Sequence, residues 1–143
     1  MTKQRLEGDL ADILKKNNVL YSRIYHVAGA YTNVPGDFWI FNNKVALVEC
    51  KECRNGRWIF GRFTQEKQLL KFNEAPIITS FIIICFWHGR KTKSEYYVIP
   101  VLDYLKVVNS LEIKSLNNVD FKELFGDFIC SYEELPSKLT FFS

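Results

Sequence analysis

Gly36–Lys51 reads GDFWIFNNKVALVECK, and the fold turns on how this stretch is read. Asp37 opens a first short strand, Asn42-Asn43 is a turn signal, and a second strand ends in Glu49-Cys50-Lys51. Side chains alternate faces along a strand, so Glu49 and Lys51 project to one side, about 6.6 Å apart along the chain, and Cys50 projects to the other. When the two runs pair as a hairpin, Asp37 approaches from the neighbouring strand. Two carboxylates and an ammonium converging at a strand end suit divalent-metal hydrolysis of a phosphodiester. Hydrophobic burial alone would not place them there.

Working outward, Leu6, Leu10, Ile13 and Leu14 recur at helical spacing and predict an amphipathic helix over 3–17, ending near Asn17-Asn18. Tyr21 to Val27 reads as a first strand, and the loop 29–36 (GAYTNVPG) carries Gly, Asn and Pro. Lys44 to Glu52 is the strongest strand. Asn55-Gly56 then signals a turn, with Trp58 to Phe63 as a return strand. Thr64 to Phe72 switches to helical period with Thr64 as N-cap. Ile77 to Trp87 is an almost unbroken apolar run that fits a strand covered on both faces. A short strand, Tyr96 to Ile99, and a helix, Val101 to Val108, follow. In the tail, Phe121, Leu124, Phe125 and Phe128 suggest a short helix. The whole describes one α/β domain over 1–143, with 109–143 as an extension packed on the core.

The bulk properties agree with a folded chain. At 143 residues, 48% hydrophobic and 15% aromatic, it can build a core without staples. A formal charge of +3 permits nucleic-acid binding without requiring it, so any such binding depends on local clustering of the 19 Lys and Arg. The charged N-terminus lacks the apolar core of a signal peptide, and the apolar run around Ile82-Ile83-Ile84 is too short to cross a bilayer. The expectation is an intracellular, cytoplasmic protein with no membrane association (host cytoplasm if viral). Its four cysteines form no secreted framework and are expected as thiols. Cys50 and Cys53 make a CxxC, yet no second Cys/His pair stands at zinc-finger spacing.

The element order, with Asp37 and Glu49-Cys50-Lys51 in place, resembles the PD-(D/E)XK nuclease superfamily, most closely the archaeal-type Holliday junction resolvases and related phage resolvases. The likeness spans roughly residues 5 to 105. It rests on Glu7 ahead of a Leu-rich stretch, the Asp…Glu-x-Lys signature, the run Thr64-Gln65-Glu66-Lys67-Gln68-Leu69-Leu70-Lys71-Phe72, and the apolar strand after Ala75-Pro76-Ile77. The resemblance implies a restriction-endonuclease-like core in αβββαβ order, a central mixed β-sheet flanked by helices. It implies Mg²⁺, with Mn²⁺ as substitute, held by Asp37, Glu49, the backbone carbonyl of Cys50 and the helix-borne Glu7. It assigns Lys51 to orient or help deprotonate the attacking water and to offset charge on the phosphate, and Gln65 to support that water or the scissile phosphate.

Two features depart from the family pattern. Pro35 stands one place early, so Gly36 precedes Asp37, and the Gly-Ser loop of the family is replaced by Ala28 to Asn33, where Thr32 or Tyr31 would have to supply a hydroxyl. Taken singly, Glu7 is a charge on a helix exterior, Gln65 a first-turn residue, and Glu49/Lys51 a solvated strand face. Only the combination carries chemistry. Arg54, Arg57, Arg62, Lys15, Lys16 and Thr32 are the candidate nucleic-acid contacts. The resulting expectation is a Mg²⁺-dependent, structure-selective endonuclease acting on branched or duplex DNA, a Holliday junction resolvase before another nuclease or a non-catalytic binding protein of the same fold. Opposed cuts in a two-fold junction imply a homodimer, with Trp58 to Phe63 and the Phe-rich tail as its candidate surface.

Overall fold

The computed structural model describes residues 5–24, 36–60 and 66–140. The order is α1 (Leu6–Lys16), β1 (Leu20–Arg23), β2 (Phe38–Phe41), β3 (Val45–Cys53), β4 (Arg57–Ile59), α2 (Glu66–Asn73), β5 (Ile78–Phe86), β6 (Glu95–Pro100), α3 (Val101–Ser110), β7 (Ser115–Asn117), α4 (Asn118–Phe125), β8 (Ile129–Cys130) and α5 (Leu135–Thr140). Six strands form one sheet in the order β1-β2-β3-β5-β6-β8. Its centre is the parallel pair β3–β5, in register from Val45↔Ile78 to Cys53↔Phe86, and its other neighbours are antiparallel. This is the expected α/β architecture, a mixed sheet between helices.

Each element follows from local chemistry. On α1 the apolar positions Leu6, Leu10, Ile13 and Leu14 are buried, whereas Asp12, Lys15 and Lys16 face water. The helix stops where the Asn17 side chain donates to the Ile13 carbonyl at 2.8 Å and Asn18 turns to φ 57°, a conformation that Asn tolerates better than most residues. The β2–β3 hairpin closes Phe41 on Val45 through Asn42, Asn43 and Lys44. From Ser80 to Phe86 every residue of β5 is buried, as its unbroken apolar run requires.

Two cores sandwich the sheet. One gathers Leu10, Leu14, Ile40, Val48, Ile83, Leu135 and Leu139 beneath α1 and α5; the other gathers Leu47, Leu69, Ile82, Tyr104, Phe121 and Phe125 beneath α2, α3 and α4. Cys50 belongs to the first and Cys53 to the second, so this CxxC is split between layers and cannot chelate one ion.

Two expectations need correction. The segment after Gly56 does not return along the sheet, because β5 already occupies that edge of β3. Instead β4 pairs with β7 as a separate two-stranded ribbon. Nor do Trp58, Phe121 and Phe125 offer a free dimer surface, while Phe63, Phe141 and Phe142 lie outside the described residues. Trp58 is buried and its indole N–H donates to the Tyr104 hydroxyl at 3.0 Å, while Phe121 and Phe125 are fully buried, with ring centroids 4.6 Å apart.

The tail is held mainly by those rings, each contributing about 1.5–3 kcal/mol by burial. A polar hub adds less: Glu95 accepts from Asn118 at 2.9 Å, meets His88 at 3.0 Å, and pairs with the exposed Lys122 at 2.9 Å. Partly exposed pairs of this kind contribute about 1 kcal/mol or less. Burial pushes the Glu95 carboxyl up, but the hydrogen bonds from Asn118, Lys122 and His88 outweigh it and lower the pKa to about 2. A depressed carboxylate stabilises the fold above its unfolded value, 4.5, and loses that contribution as pH falls through about 2. Glu95→Gln should therefore destabilise the chain above about pH 5, and the deficit should shrink steadily on acidification, as read from urea midpoints across that range.

Candidate active site

The site begins with a bend. Gly36 has φ +93°, and a Cβ there would stand 3.0 Å from Leu47 Cδ1 and 3.2 Å from the Val48 carbonyl oxygen. Proline, fixed near φ −65°, cannot occupy such a position. That accounts for Pro35 standing one place early: the chain hugs β3 immediately before the acid.

Asp37 is then fastened to β3 twice. Its N–H donates to the Val48 carbonyl at 2.7 Å, and its Oδ2 accepts the Cys50 N–H at 2.7 Å. The two bonds straddle Glu49, which is 4% exposed against 9% for Asp37. On its other side the Asp37 carbonyl accepts the Ile24 N–H at 2.8 Å, so β1 and β3 together fix this residue. Lys51 lies two residues beyond Glu49 on the same face of β3, and its Nζ is 3.4 Å from Glu49 Oε1. The side-chain alternation expected for this strand is what brings the pair together.

Glu7 enters from the first turn of α1. Burial raises its pKa first; the Asp37 charge and a hydrogen bond shared with Asp37 raise it further, against the lowering effect of Arg23. Arg23 Nη2 is 3.7 Å from Glu7 Oε1, and its guanidinium lies over the Phe38 ring, 5.5 Å from the centroid. Sequence reasoning missed Arg23. Its signal was a cation closing a strand whose neighbour opens with Asp37-Phe38, and Arg23↔Phe38 is indeed a register pair. Cys50 sits beneath the acids. Burial, then the charges of Asp37, Glu7 and Glu49, push its thiol well above the ordinary range, so it stays protonated.

Glu7, Asp37, Glu49 and Lys51 are thus assembled by α1, the bend before β2, and β3. Gln65, Arg62 and Thr32 lie outside the described residues. Arg54, just past β3, pairs with Glu52 at 3.0 Å. Arg57 bonds Ser115 across the β4–β7 ribbon. Lys15 and Lys16 occupy the far end of α1, about 12 Å along the helix from Glu7.

Among the described residues no three His, Cys, Asp or Glu side chains stand together as a ready cage for an ion. The donor chemistry still fits Mg²⁺, which takes one or two carboxylates and fills its remaining positions with water and phosphate oxygens. The Asp37 charge adds to burial in raising the Glu7 pKa, and a cation placed there would offset the repulsion between the two carboxyls.

No family model matches the chain, and neither does any curated protein. Among solved structures, it is similar to Hjc, a Holliday junction resolvase from the archaeal hyperthermophile Archaeoglobus fulgidus. The TM-score is 0.61 at 14% identity, covering 92% of this chain and 98% of that one. The likeness is one of fold, nearly end to end.

Two outcomes are expected from this geometry. Gly36→Ala should cost about 1–3 kcal/mol, the range for forcing a side chain into left-handed backbone, visible as a lower urea midpoint with unchanged slope. A carboxyl with a raised pKa stabilises the fold below its unfolded value and loses that contribution as pH rises through the folded one. Metal-free Glu7→Gln, always neutral, should therefore melt higher than wild type near neutral pH. The gap should close below about pH 4.5, in thermal scans with chelator present.

Proposed function

We propose that this chain is a divalent-metal-dependent DNA endonuclease that cleaves branched DNA, four-way junctions first of all, in recombination or repair. The observation that carries the reading is Asp37 fastened across Glu49 with Lys51 beside it, on a fold shared nearly end to end with an archaeal junction resolvase. Asp37, Glu49, Glu7 and the Cys50 carbonyl would hold Mg²⁺ or Mn²⁺. When bound, the ion supplies an activated water and positive charge opposite the phosphate.

The remaining chemistry belongs to the chain. Asp37 cannot swing away while its Oδ2 accepts the Cys50 N–H, so its second oxygen has a fixed direction. Lys51 offers its ammonium at a partly exposed position next to a buried acid, where it opposes charge growing on a phosphate. Gln65, just before α2, would orient the water. Arg54, Arg57, Arg62 and Thr32 would contact the backbone. Two copies would assemble as a homodimer, because a two-fold junction presents two equivalent scissile phosphates. Among the described residues no helix is long and apolar enough to cross a membrane, which fits a protein that meets DNA inside a cell.

One observation favours a second reading. No three-acid cage exists among the described residues, which suits a protein that binds junctions without cutting them. Incubation with a labelled four-way junction and Mg²⁺, beside duplex, flap and single-strand controls, separates the two. The nuclease should give paired symmetric nicks on the junction. Asp37→Asn and Glu49→Gln should lower the rate by roughly a hundredfold or more yet keep junction binding. Normal cutting by both variants would refute the site, and binding without cutting in any metal would establish the second reading.

A further inference from the structure

Beside the candidate active site, two guanidinium groups share one indole. Arg54 lies 5.3 Å from the Trp87 ring centroid and Arg5 5.4 Å. The three residues reach the spot from separate elements. Arg54 directly follows β3, Trp87 directly follows β5, and Arg5 directly precedes α1. The parallel register ends at Cys53↔Phe86, and the Trp87 backbone N–H donates to the Cys53 carbonyl at 2.9 Å, so the residue that bears the indole is anchored at the strand ends. Arg54 is also held from beneath. Its Nε is 3.0 Å from Glu52 Oε2, and the Glu52 side chain is 2% exposed against 32% for that of Arg54. The acid is inside and the cation outside.

We infer that Arg5, Trp87 and Arg54 form a preorganised grip for the DNA phosphate backbone immediately outside the cleavage site, a deepening that rests on the nuclease reading above. Position supports this. Arg54 stands three residues past Lys51, about 10 Å along an extended strand. Arg5 stands two residues before Glu7, about 3 Å along a helix axis. Measured along these elements, each of the two arginines stands within about 10 Å of a residue placed in the site. Chemistry supports it too. A planar guanidinium held over an aromatic ring has less rotamer freedom to lose on binding, and it carries N–H groups in the fork that phosphate accepts. Pairing with the buried Glu52 accounts for Arg54, but stability gives little reason for Arg5, whose exposed cation–π contact contributes only about 0.5–1 kcal/mol.

The test is the salt dependence of binding to a labelled four-way junction and a matched duplex by fluorescence anisotropy, with chelator present so that no strand is cut. Wild type, Arg5→Gln, Arg54→Gln and Arg5→Lys are compared after thermal scans confirm that each is folded. Each Gln variant should bind several-fold more weakly at low salt and flatten the log K against log salt slope by roughly 0.9, the increment for one lost phosphate contact on duplex DNA. Arg5→Lys should keep the wild-type slope. Unchanged slopes in both Gln variants, with wild type still binding, would overturn the grip and leave the nuclease reading standing. Failure of the wild type to bind either DNA would overturn both.

Discussion

The hydrogen bond from the Cys50 N–H to Asp37 Oδ2 is the constraint on which the site hangs. A carboxylate that accepts a backbone donor at 2.7 Å in a nearly water-free position costs less to bury than a bare one, and removing either partner would leave the other unsatisfied. It needs the Gly36 bend to bring the chain against Val48, and it needs β1 to hold the Asp37 carbonyl from the far side. Three strands and one left-handed glycine are therefore committed to aiming a single side chain.

Around that fixed acid the remaining groups balance charge rather than add stability. Glu7 pushes against Asp37, Arg23 offsets part of the repulsion, and Lys51 does the same for Glu49. Such a cluster stabilises the chain less than an apolar cluster of equal volume would. The two cores above and below the sheet supply the surplus that makes it tolerable. Functional sites are where burial and like-charge neighbours commonly perturb carboxyls in this way.

How much could be read from the sequence varied with how local the determining contacts are. The α1 period, the β2–β3 hairpin and the apolar β5 run are set by neighbours in sequence, and so is the pairing of Glu49 with Lys51. The Gly36 bend was visible as a displaced proline, although its cause, the approach of Val48, was not. Strands β4, β7 and β8 have three, three and two residues, too few to show a period. Their pairings depend on partners far along the chain: Trp58 opposes Leu116, and Cys130 opposes Tyr96. Arg23 escaped notice for the same reason, since its meaning comes from Glu7 on a different element.

The bond from the Tyr132 hydroxyl to the Asp9 carbonyl, 2.6 Å long and spanning 123 residues, carries a consequence for biosynthesis. Leu135 and Leu139 complete the apolar layer against α1, so a chain emerging from the ribosome keeps part of that helix uncovered until α5 has been made. Glu7 rides on α1. The helix that carries Glu7 is thus made before the segment that locks it, and the acid cluster gains its full support only once α5 has emerged.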